Sequence, residues 1–113
     1  MERKDFERII GKDILFFNWM NMHIAFELFL SDDLRLRIQK DTFWRLSKRG
    51  SILLSSEIRM TDKRIDQMHD LLVDSIIQKI SVSNSGDMVL YLSRGVKLEL
   101  FRTKADSYAA KME

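Results

Sequence analysis

Apolar residues take every second position of Met88-Val89-Leu90-Tyr91-Leu92, and again of Val96-Lys97-Leu98-Glu99-Leu100-Phe101, with Ser93-Arg94-Gly95 between the runs. A period of two on both sides of a short Gly-containing break predicts a β-hairpin. Sliding the chain on itself lays Leu28-Phe29-Leu30-Ser31-Asp32-Asp33-Leu34-Arg35-Leu36 over Leu90 to Leu98, an offset of 90 − 28 = 62 positions. Without a gap, that offset also lays Phe6 over Met68, Ile9-Ile10 over Leu71-Leu72, Ile14-Leu15 over Ile76-Ile77 and Met20 over Val82. A shared register of this length predicts an internal duplication.

The rest of the chain is read in that frame. Phe6, Ile9 and Ile10 predict a short amphipathic helix over 2–11, stopped at Gly11. From Ile14 to Leu30 the chain is rich in apolar and aromatic residues, and its length alone also fits one helix. The matching region holds the turn cluster Ser83-Asn84-Ser85-Gly86-Asp87, so two strands are expected, about 14–20 and 24–31. Leu34-Arg35-Leu36-Arg37-Ile38 reads as a strand with one wet face. Trp44-Arg45-Leu46, the turn Lys48-Arg49-Gly50 and Ser51-Ile52-Leu53-Leu54 read as a further strand pair. Ile65, Met68, Leu71 and Leu72 stand at helical spacing over 62–73, with Thr61 placed to cap the first turn. Residues 103–113 read as a tail or a short helix.

The expected fold class is α+β: duplicated units of a helix plus a three-strand β-meander, forming an antiparallel sheet with two short helices. The halves, about 2–46 and 62–101, are joined by a hairpin strand about 51–57, in a single domain spanning 1–113. Even-numbered positions supply the expected core. These are Ile14, Phe16, Met20, Phe26, Leu28, Leu30, Leu34, Leu36 and Ile38 in the first half, and Ile76, Ile80, Val82, Met88, Leu90, Leu92, Leu98 and Leu100 in the second. Leu15, Phe17, Trp19, Phe29, Ile77 and Tyr91 then point the other way. Either they lie under the two helices, or Phe17, Trp19, Phe29 and Tyr91 form an exposed protein interface.

Composition narrows the function more by class than by chemistry. The 113 residues include no cysteine and no proline, which leaves no thiolate chemistry and no disulfide framework. The 19 basic and 17 acidic residues nearly balance at +2, a small excess for a nucleic-acid binder. No apolar run reaches spanning length, and the charged start Met1-Glu2-Arg3-Lys4-Asp5 leads into a helix pattern, so a cytoplasmic location without a membrane partner is expected. Arg35, Arg37, Lys40, Arg45, Lys48 and Arg49 do cluster, with Phe43 and Trp44 among them. That is a candidate basic patch, read either as a phosphate-binding face or as a solvated strand face.

Reagents for catalysis are sparse. The only histidines are His23 and His69, no nucleophile-elbow pattern accompanies them, and their spacing does not make a metal site. Asp32-Asp33 and Gly86-Asp87 are read as turn chemistry. No catalytic, metal or cofactor residue is therefore assigned, and no cofactor is expected.

Trp44-Arg45-Leu46, together with Gly86-Asp87-Met88-Val89-Leu90-Tyr91-Leu92 and Gly95, resembles small bacterial proteins of uncharacterised families. Some of those are encoded beside polymorphic toxins and resemble immunity proteins. The likeness spans most of the chain, although no Trp-Arg follows Phe101. It implies binding rather than catalysis and carries over no functional residue. Three readings stand: a non-catalytic protein-binding module, immunity-like or homodimeric; a nucleic-acid-associated protein using the 35–49 cluster; and a small enzyme or ligand binder with a hidden pocket.

Overall fold

The structure is a computed structural model that describes residues 6–19, 24–102 and 110–112. It is mostly β, with two antiparallel sheets. The strands are β1 (Ile14–Trp19), β2 (Ile24–Leu30), β3 (Arg35–Gln39), β4 (Phe43–Lys48), β5 (Ser51–Ser55), β6 (Ile77–Val82), β7 (Met88–Leu92), β8 (Val96–Phe101) and β9 (Ala110–Met112). The α-helix α1 (Asp62–Leu72) stands between β5 and β6. Sheet one runs β1-β2-β3-β9 and sheet two runs β5-β4-β8-β7-β6.

This overturns the expected α+β fold. Among the described residues there is one α-helix, not two. The helix-plus-meander unit is not repeated, and the strands do not join into one sheet. Residues 2–5 of the expected first helix lie outside the described residues. Within them, Glu7–Ile9 makes a single 3₁₀ turn before Gly11, at φ +85°, swings the chain into β1. The physical reason for two sheets is burial. Both meanders carry an apolar face, and facing them against each other satisfies both without a layer of helices. The crossing is made at residues 40–42, between β3 in one sheet and β4 in the other.

One core fills the space between the sheets. Sheet one contributes Phe26, Leu28, Leu36 and Ile38; sheet two contributes Trp44, Leu46, Leu90, Leu98 and Leu100, all buried. α1 adds Met68 and Leu72 on its apolar face, and Phe6 and Ile9 enter from the N-terminal side. Thr61 caps α1 as its position suggests, its hydroxyl accepting from Arg64 N at 3.3 Å. At the other end Arg94 Nη2 lies within 2.8–3.3 Å of the Asp70, Leu71 and Val73 carbonyls and of Ser75 Oγ, so a cation meets the helix's orphan acceptors.

The starts of the two meanders are also tied backbone to backbone. Asp13 and Ile76 form an antiparallel bridge. Ser31 Oγ accepts from Asp13 N, and Ser93 Oγ accepts from Ile76 N, at 3.1 and 2.9 Å. Each serine opens a 3₁₀ turn holding left-handed residues, Asp32 and Asp33 in one, Arg94 and Gly95 in the other. Asp tolerates that conformation better than most side chains, and Gly adopts it freely.

The even-numbered core holds along β2, β3, β7 and β8 and fails at Phe16 and Ile76, in or just before the strands that carry bulges. Bulges interrupt β1 between Ile14 and Phe16, and β6 between Ile77 and Lys79. Each inserts one residue and turns the rest of its strand over. Phe16, beyond the β1 bulge, is consequently 53% exposed and Phe17 only 5%; in β6 the bulge follows Ile77, so Ile77 is buried and Ile76 exposed ahead of it, and Val82 beyond it faces inward again. The first strands match at 77 − 14 = 63 positions, not 62, because the two hairpins differ by one residue in their loops. Met20 lies outside the described residues. The expected tail at 103–113 includes β9, which pairs with β3.

Candidate functional site: an apolar strand edge and a tryptophan cleft

The residues expected to form one aromatic interface are dispersed. Phe17 is in the core. Trp19 packs half-buried against it, its ring stacked on Phe26 at 10°. Phe29 lies on the outer face of sheet one and Tyr91 on that of sheet two. Each of these last two carries a cation: Arg35 stands 5.8 Å from the Phe29 ring centre and Lys79 5.4 Å from that of Tyr91.

The basic cluster is divided in the same way. Arg35 and Arg37 sit on β3 in sheet one, whereas Arg45 and Lys48 sit on β4 in sheet two. Arg49 occupies the β4–β5 turn beside Gly95, at φ 50°, and Lys40 rims the cleft described below. Arg45 is held by Glu99 at 3.1 Å and by the Phe101 ring at 4.9 Å. Arg37 Nε donates to Glu27 Oε2 at 2.6 Å, with Arg35 at 4.0 Å from the same carboxylate. Three of the cluster's six cations, Arg35, Arg37 and Arg45, thus face carboxylates of the chain itself.

Glu27 was missed by sequence reasoning, although a signal existed. The turn centred on Asp32 sets Glu27 opposite Arg37 and Phe29 opposite Arg35. The Glu27 side chain is 6% exposed, whereas the Arg37 side chain remains 38% exposed. Removing each partner should therefore cost differently. Arg37→Met leaves a buried anion short of its closest cation and should cost about 2 kcal/mol. Glu27→Met leaves arginines that can hydrate and should cost about 1 kcal/mol. Urea denaturation of both variants checks this; equal losses would contradict the asymmetry.

The bulge exposes what parity hid. Leu15 and Phe16 are 57% and 53% exposed on β1, an edge strand of sheet one. The Phe16 ring stands 5.6 Å from Phe29, which extends the apolar surface onto β2. Ile10 and Ile76, also exposed, flank the junction where β1 begins. An edge strand that shows large apolar side chains is an adhesive surface unless something covers it.

A cleft of about 400 Å³ opens at the other end of β1, on the inner side. Trp19 and Trp44 wall it edge to face, with ring centres 6.2 Å apart at 79°. Ile24, Ala25, Ile58 and Met60 complete the apolar lining, and Lys40, Asp41 and Ser56 stand among its polar groups. Ser56 is already engaged, accepting from Trp44 N at 3.0 Å.

His69 pairs with its neighbour Asp70 at 3.5 Å on α1, with both side chains exposed, and His23 lies outside the described residues. Among the described residues no group of three or more His, Cys, Asp or Glu is placed to hold a metal ion. Among them, too, no helix is long and apolar enough to cross a membrane. No protein-family model, curated protein or solved structure matches the chain.

Proposed function

We propose that this chain is a non-catalytic protein-binding module that docks its partner along the outer edge of sheet one. The observation that carries the reading is the exposure of Leu15 and Phe16 on an edge strand, beside Phe29. Such a surface offers apolar anchors together with a strand edge, the two elements of strand-addition recognition. The Glu27–Arg37 pair at its side supplies a polar rim. An immunity-like role, in which docking covers a partner's own working surface, belongs to the same proposal, as does a cytoplasmic location. The nucleic-acid reading draws less support, because the basic cluster divides between two sheets and Arg37 and Arg45 are committed to carboxylates.

A photo-crosslinking amino acid placed at Phe16, and separately at Lys79, tests the reading in the producing cell. Lys79 holds the corresponding place in sheet two, opposite Tyr91 as Phe16 is opposite Phe29. A discrete adduct from position 16 alone is expected, and its mass separates a foreign partner from a second copy. Phe16→Asp should then weaken the purified pair by at least about tenfold. Absence of an adduct at 16, or the same ladder from both positions, would sink the proposal.

A further inference from the structure

We infer that the cleft between Trp19 and Trp44 is a binding site for a small, planar aromatic molecule, separate from the docking edge. Its volume, about 400 Å³, lies within the range in which pockets bury most of a small ligand. The two indoles meet at 79°, and Trp19 is stacked on buried Phe26, so the walls are set by the core beneath them. A flat ring that lies parallel to Trp19, the half-buried indole, is oriented edge to face with Trp44, which is only 2% exposed. It thereby continues the offset and T-shaped contacts that aromatic rings prefer. Met60 adds a polarizable thioether to the same lining.

The rim sets the rest of the ligand. Lys40 and Asp41 are adjacent and opposite in charge, so the mouth does not select strongly for either sign. A neutral hydrogen-bonding group on the ring, a hydroxyl or an amide, can use either one without leaving a charge unpaired. The ligand class is therefore a neutral one- or two-ring aromatic with a polar substituent at one end.

The chain holds only two tryptophans, and both line the cleft, so both indole N–H signals report on it. The test titrates ¹⁵N-labelled protein with 2-naphthol and with decahydro-2-naphthol, which keeps the hydroxyl but not the flat ring. 2-Naphthol should shift both indole signals saturably and bind at least about tenfold more tightly than its saturated analogue. Ala25→Leu fills the floor of the cleft, and Ile58→Arg places a charge in it from a loop. Each should abolish the shifts, and the loop variant keeps the test alive if the strand variant does not fold. Phe16→Asp should leave the titration unchanged. Failure of the indole signals to saturate, equal binding of the two alcohols, or undiminished binding by Ile58→Arg would each overturn the inference. None of these outcomes bears on partner docking at β1.

Discussion

Phe26→Ala is expected to cost about 4 kcal/mol of stability, the largest effect of any substitution considered for this chain. Phe26 is fully buried on β2. Its ring centre lies 5.8 Å from that of Phe17, 6.3 Å from Trp19 and 5.6 Å from Trp44, so one side chain ties β1 and β2 to β4 of the opposite sheet. Truncation loses the transfer energy of the ring, leaves a cavity that strands cannot readily collapse to fill, and removes three ring–ring contacts. For a chain of 113 residues that is a fall in Tm of roughly 15 °C, measurable by calorimetry or by urea denaturation followed through the two tryptophans. A loss below about 2 kcal/mol would show that the cluster relaxes into the space and does not pin the sheets together.

The second large effect is a contrast between neighbours. Phe17→Ser should cost about 3 kcal/mol, because it trades a core ring for a buried hydroxyl. Phe16→Ser should cost less than about 1 kcal/mol, because its ring is more than half exposed and loses mainly its contact with Phe29. Period-two reading of the strand makes the opposite forecast, with Phe16 inside and Phe17 outside. Equilibrium unfolding of the two variants decides between them. If Phe16 proved the costlier position, the bulge at the start of β1 would be wrong, and with it the apolar edge proposed as the docking surface.

That pair of residues also shows how the site escaped a linear reading. Nothing in Ile14-Leu15-Phe16-Phe17 announces a bulge, since all four side chains are apolar and either parity buries two of them. The bulge is fixed by partners elsewhere. Ile14 N donates to Ser75 O, and Asp13 is bridged to Ile76 and held by Ser31, which sets the start of the strand. The pairing with β2 sets its remainder one residue out of step. The cleft was similarly illegible: Trp19 and Trp44 are 25 positions apart and meet only because their sheets face each other. Glu27 was closer to view, because a hairpin turn fixes its own register and Asp32-Asp33 marks that turn in the sequence.

The sequence by itself determined the local elements. Alternation marked β3, β7 and β8, the match to the second half marked β2, helical spacing and Thr61 marked α1, and Lys48-Arg49-Gly50 marked the β4–β5 turn. These are short-range matters, governed by side-chain period, capping and allowed φ, and they can be read from neighbours along the chain. Tertiary structure alone decided that the meanders form two facing sheets, that β4 pairs with β8 and β9 with β3, and which residues of β1 and β6 face inward. Those choices depend on burying two apolar faces at once while every interior strand keeps its hydrogen bonds. That balance is struck between segments far apart in sequence, so no window along the chain contains it.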